Sequence, residues 1–158
     1  MTIIGIDPGK TGAVAVLWEG GASDVIDMPP SPVGLRAELG IEDQPLSPSP
    51  RFVAYVEKQQ AMPKQGVSST FKIGQSYGEI LGVFGALSIR VVTVTPVKWK
   101  TAMGLRGKDK DASRALAMRL FPQLAGELQR KKDHGRAEAL LIAEWGRRQE
   151  REPDVKEV

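Results

Sequence analysis

Thr2-Ile3-Ile4-Gly5-Ile6-Asp7-Pro8-Gly9-Lys10-Thr11-Gly12-Ala13-Val14-Ala15-Val16-Leu17-Trp18 is the stretch on which the fold turns. A β-branched run stops at Asp7, Pro8 to Gly12 have turn chemistry, and residues 13–18 return as a second apolar run, so the pattern predicts two paired strands. Gly20-Gly21 then predicts a hairpin into a third strand at residues 24–28. Asp7 has two readings. It is either a turn-initiating Asp ahead of Pro-Gly, or an acid placed for chemistry at the end of a strand that packing buries on both faces.

Outward from there, Met28 to Pro50 carries six prolines and several serines, which predicts a surface connection with at most a short helix near residues 33–40. Residues 52–57 (Phe-Val-Ala-Tyr-Val-Glu) predict a short strand. Residues 68–87 place Phe71, Ile73, Ile80, Leu81, Val83, Phe84 and Leu87 at helical spacing. A strand at 89–95 stops at Pro96, a helix over 111–121 stops at Pro122, and residues 134–148 form the last helix. Three strands followed by strand and helix in alternation indicate an α/β fold with a mixed central sheet flanked by helices. Residues 1–150 are expected to form a single domain and 151–158 a short polar C-terminal tail.

The chain has 158 residues, 41% of them apolar, enough for one core and not for a second large domain. It has no cysteine, which excludes disulfides, thiolate catalysis and cysteine-ligated zinc. No apolar run is long enough to span a bilayer, and the strand pattern starts with no charged leader before it. We expect a soluble protein of the cytoplasm. The net charge of +3 is unevenly spread: residues 1–57 hold 3 Lys/Arg against 8 Asp/Glu, whereas residues 88–136 hold 12 against 4. A basic run is often only a solvated face. Beside a metal site it points to phosphate contact.

Two further acids join Asp7. Glu57 ends the fourth predicted strand, where the local alternative is an exposed strand-end Glu. Glu138 shares a helical face with Leu141, Ile142 and Trp145, so an acid interrupts the stripe that should meet the core. His134, the only histidine, lies four residues earlier, about 40° around the helix, so both side chains can reach one ligand. Asp133 points well away. Buried carboxylates repel one another unless a cation neutralises them, and this set therefore suggests metal-dependent chemistry.

These residues carry a resemblance. Gly5-Ile6-Asp7-Pro8-Gly9, the strand ending Val56-Glu57, and Asp133-His134-Gly135-Arg136-Ala137-Glu138-Ala139-Leu140 are similar, in that order, to the three active-site motifs of RuvC-type Holliday-junction resolvases. The last motif with Arg130-Lys131-Lys132, and Thr95-Pro96-Val97-Lys98-Trp99-Lys100, resemble the branch that includes plant chloroplast resolvases. The similarity covers nearly the whole chain and is weakest from Met28 to Pro50.

The resemblance implies an RNase H-like fold and a structure-selective endonuclease that cuts four-way DNA junctions. It also implies Mg²⁺, with Mn²⁺ as an alternative and two ions per site, held by Asp7, Glu57 and Glu138, with Asp7 bridging. Many relatives carry two Asp three residues apart on the last helix. Here Gly135 stands at the earlier position, leaving His134 as fourth ligand or as a group that orients the attacking water. Lys110, ahead of Lys108, would offset charge beside the scissile phosphate; the local alternative is a solvated charge cluster at a helix start. DNA would be met by Lys58, Lys64, Lys72, Lys98, Lys100, Arg106, Lys108, Arg130, Lys131, Lys132 and Arg136. Met62 or Phe71 would act as a wedge among unstacked bases, although Phe71 at helical spacing also reads as core. Symmetric nicking implies a homodimer, for which the helix from Ser68 to Leu87, with Gly74, Gly78, Gly82 and Gly85, is the candidate pairing face. The expected setting is the cytoplasm of a bacterial or phage-infected cell. Rival readings are an RNase H-like nuclease for another branched DNA or for RNA, a junction-binding module without catalysis, and a fragment of an actin-like ATPase. The last needs a duplicated domain.

Overall fold

The computed structural model describes residues 1–41 and 51–151. What the sequence leads us to expect of residues 42–50 and 152–158, the end of the surface connection and most of the polar tail, lies outside them. Strands β1 (Thr2–Asp7), β2 (Ala13–Leu17) and β3 (Ser23–Asp27) form an antiparallel meander, and β4 (Phe52–Glu57) and β5 (Arg90–Val94) add in parallel on the other edge of β1. The sheet order is β3-β2-β1-β4-β5, a mixed sheet as expected.

Helix α1 (Pro32–Leu39) follows its local chemistry: Ser31 Oγ accepts from the Gly34 N–H at 3.1 Å, Pro32 sits in the first turn, and Gly40 ends the helix at φ 59°. Helix α2 (Val67–Ala86) is long, yet only Ile80 and Phe84 are buried. Phe71 is 72% exposed, which removes it from the core; no residue in the first half of α2 is buried. A helix that the sequence reading left out, α3 (Pro96–Ala102), starts directly after β5. Helix α4 (Lys110–Leu120) ends before Pro122, which opens a 3-10 segment, and a second 3-10 turn at Lys131–Asp133 leads into α5 (His134–Arg151).

Alternation along the strands divides the core. Ile4, Ile6, Ala54 and Val56 pack under α1 and α2, while Ile3, Val53 and Tyr55 face α5 and α4. Leu140, Leu141 and Ile142 of α5 are fully buried, each contributing about 1.5–3 kcal/mol. The helix lies so close to β1 that a Cβ on Gly5 would overlap the Ala139 carbonyl and stand 2.7 Å from the Ala143 Cβ. Glycine at position 5 therefore sets the depth at which α5 seats, and with it the height of the residues at its first turn.

Candidate active site

Asp7 follows Ile3 and Gly5 in strand alternation, and Glu57 follows Val53 and Tyr55, so both acids face the α5 side of the sheet. Ile6 pairs with Val56, which brings Asp7 and Glu57 out of adjacent parallel strands at the same level. The first turns of α5 come down onto this end of the sheet: a Cβ on Gly135 would collide with the Thr11 carbonyl and stand 3.3 Å from Asp7 Oδ2. Glu138, one turn further on, completes the group. Glu57 is 8% and Glu138 9% exposed, so the reading of Glu57 as a solvated strand end does not hold.

The electrostatics reflect this assembly. Burial, then the charges of Glu138 and Glu57, lift the Asp7 carboxyl from 3.8 to about 8. Burial also raises Glu57, opposed by a hydrogen bond from Trp99. The indole Nε1–H of Trp99, a fully buried side chain, donates to Glu57 Oε2 at 2.7 Å. Lys100 Nζ lies 2.9 Å from Glu138 Oε1. Among the described residues, no three Asp, Glu or His side chains already stand as a ready set of ligands. The acids sense one another, but Glu57 and Glu138 are each held by a residue of α3.

Asp7 and Glu138 line a cleft of about 200 Å³ whose other walls include Lys100, Lys108, Lys110, Ser113 and His134. Lys110 Nζ is 3.3 Å from His134 Nε2, and His134 Nδ1 is 3.3 Å from the Lys131 carbonyl. A carbonyl can only accept, so in the neutral ring Nδ1 carries the proton and Nε2 offers its lone pair. A larger groove of about 630 Å³, between α1 and α2 on the opposite face, is lined mostly by apolar side chains and holds none of the three acids.

The basic residues divide into those exposed on the surface, among which Lys98 lies 5.6 Å from the centre of the Trp145 ring, and those engaged in ion pairs. Lys58, Lys64, Lys72, Lys98, Arg106, Lys108, Lys131 and Lys132 are exposed, and Met62 is 65% exposed. Arg136 is not open to a phosphate: its guanidinium binds Asp27 through Nε at 2.7 Å and Nη2 at 2.9 Å, and Glu127 through Nη1 at 2.6 Å. Arg130 pairs with the buried Asp133 carboxylate, at 2.9 Å through Nη2. Lys100 faces the acids and not the outer surface. Trp99 is the residue that sequence reasoning missed. Its signal was present, since Thr95 followed by Pro96 is a cap and first-turn pair, and Thr95 Oγ1 accepts from the Lys98 N–H at 3.3 Å.

No family model matches the chain. Over 92 residues, 58% of its length, it is 44% identical to the chloroplastic Holliday junction resolvase MOC1 of Chlamydomonas reinhardtii, and the match spans 10% of that protein. The fold is shared with RuvC of Thermus thermophilus in complex with a Holliday junction substrate (TM-score 0.60, 19% identity, 96% of both chains) and with a second T. thermophilus RuvC structure (TM-score 0.58, 21% identity, 96% of both chains). The fowlpox virus Holliday junction resolvase follows at TM-score 0.50 and 16% identity, over 96% of this chain and 99% of that one. The resemblance read from the motifs holds: the fold is RuvC-like, of the RNase H type, and the sequence is related to a chloroplast resolvase.

Proposed function

We propose that this chain is a structure-selective endodeoxyribonuclease that resolves four-way DNA junctions by metal-dependent phosphodiester hydrolysis. The observation that carries the reading is the convergence of Asp7, Glu57 and Glu138, from β1, β4 and α5, at one end of a RuvC-like sheet, close enough for two of them to raise the third. Hard carboxylate oxygens, with the Asp7 carboxyl lifted to about 8 by burial and its neighbours, suit a divalent cation such as Mg²⁺ or Mn²⁺. Asp7, Glu57, Glu138 and the Nε2 of His134 would hold two ions. When bound, they supply the Lewis acidity that makes water a nucleophile near neutral pH and stabilises the leaving 3′ oxygen.

The chain's own groups do the rest. Trp99 keeps Glu57 aimed by its indole N–H. His134 presents Nε2 to the cleft because the Lys131 carbonyl fixes its Nδ1–H. Lys108 and Lys110 line the cleft, where an ammonium offsets charge gathering on the phosphate. Lys58, Lys64, Lys72, Lys98, Arg106, Lys131 and Lys132 would bind the arms, and Met62 with Phe71 the unstacked centre. Paired nicks require two such sites. A homodimer fits α2, where Gly74, Gly78, Gly82 and Gly85 have open space above them and Val67 is 88% exposed. Residues 1–150 would act as a single domain in the cytoplasm of a bacterial or phage-infected cell; among the described residues no helix is long and apolar enough to cross a membrane.

The test offers the purified chain a four-way junction, a linear duplex of one arm's sequence and an RNA–DNA hybrid, each with Mg²⁺ or chelator. Symmetric nicks in the junction alone, lost with chelator, are expected. Equal cutting of duplex or hybrid would move the assignment to a different RNase H-like nuclease, and cutting in chelator would end the metal reading.

A further inference from the structure

Two consecutive residues of one short helix each grip a different acid of the site. Trp99 donates to Glu57 at 2.7 Å, and Lys100 pairs with Glu138 at 2.9 Å. The grip is built into the chain path: β5 lies beside β4, the Lys58 N–H donates to the Val94 carbonyl at 2.8 Å, and α3 turns from β5 back over the Glu57 end of the sheet. The Lys100 ammonium sits 5.1 Å from the centre of the Trp99 ring, which steadies it. Its side chain is 32% exposed and that of Glu138 is 11% exposed, so the pair is half sheltered from water.

Acids that are buried and sense one another need positive charge; Lys110 acts on Asp7 from the same cleft, and Lys100 supplies the direct contact to Glu138. An ammonium and a divalent ion cannot both sit on one carboxylate without strong repulsion in such a pocket. We propose that Lys100 is a resident cation that occupies Glu138 until a divalent metal displaces it, so that metal loading frees the Lys100 ammonium to meet the scissile phosphate. This rests on the nuclease reading above. It makes Lys100 a brake on metal binding and a positioning residue for Glu138, a role different from the arm-binding one that its place in the basic run implies.

The test measures Mn²⁺ binding without DNA, by counting free Mn²⁺ with electron paramagnetic resonance, for the wild type, Lys100→Met and Lys100→Arg. Lys100→Met keeps most of the stem over Trp99 and removes the charge. It is expected to bind Mn²⁺ roughly three- to tenfold more tightly, the size of one half-sheltered charge pair, and to gain more melting temperature from Mn²⁺ than the wild type. Lys100→Arg should stay near the wild type. Unchanged or weaker Mn²⁺ binding by folded Lys100→Met overturns the inference, since a merely structural lysine would loosen the site when removed. Should Lys100→Met fail to fold, ¹⁵N-lysine spectra of the wild type carry the test. A protected ammonium signal, assigned to Lys100 by its loss in Lys100→Arg, should vanish on adding Mg²⁺, and its persistence overturns the inference. A folded wild type that binds no Mn²⁺ defeats the nuclease reading as well, whereas one that binds Mn²⁺ and nicks junctions while Lys100→Met binds no tighter defeats only this inference.

Discussion

Replacing Asp7 by Asn should abolish nicking and, in the absence of metal, make the protein more stable at alkaline pH. The Asp7 carboxyl is lifted from 3.8 to about 8 by burial and by Glu138 and Glu57. Between those values the folded chain holds a proton that the unfolded chain has lost, so stability falls as pH rises through the window. At about 1.36 kcal/mol per unit, the loss between pH 5 and pH 8 is about 3–4 kcal/mol. Asn cannot ionise and escapes it. Urea unfolding of chelator-treated wild type and Asp7→Asn at the two pH values measures the difference. The wild type should weaken by that amount relative to the variant, and Mg²⁺ should restore the wild type alone. Equal pH slopes in both proteins would refute the claim that Asp7 is the acid burdened by its neighbours.

Trp99→Phe keeps the buried ring and removes the donor to Glu57; a hydrogen bond to a charged group is worth about 1.5–3 kcal/mol, so kcat on a junction should fall roughly ten- to hundredfold with junction affinity unchanged, and an unaltered kcat would dismiss the positioning role. Gly135→Asp, which adds an acid three residues before Glu138, should destabilise the fold by about 1–3 kcal/mol, because a Cβ there meets the Thr11 carbonyl; a stable variant with higher activity would contradict this. Lys131→Ala should lower the slope of log affinity against log salt by about one. Arg136→Ala should leave that slope unchanged while costing about 1–2 kcal/mol of stability, since its guanidinium is committed to Asp27 and Glu127. A slope change for Arg136→Ala would return it to the DNA footprint.

The sheet was legible because its signal is local: alternation in Thr2–Asp7 and Phe52–Glu57, and turn residues at Pro8 to Gly12, need no knowledge of the rest of the chain. The acids were legible for a related reason, since Glu138 stands out against its apolar stripe whatever covers it. What escaped depends on partners distant in sequence. Arg136 looks like any other cation of a basic run, and only the folded chain brings it to Asp27, 109 residues away. Glu57 reads locally as a solvated strand end until Trp99 covers it. Phe71 fits a helical core pattern, yet only the second half of α2 buries side chains, and Phe71 is left in solvent. Gly135 gives no sign in the sequence of what it does in three dimensions, where it marks the close approach of α5 to the turn after Asp7.

The most direct measurement is anomalous scattering from a Mn²⁺-soaked crystal of the protein with a four-way junction. The account predicts density bounded by the carboxylates of Asp7, Glu57 and Glu138, with Lys100 turned away from Glu138 toward the phosphate. Manganese elsewhere, or none with Glu57 still held by Trp99 and Glu138 by Lys100, would contradict it.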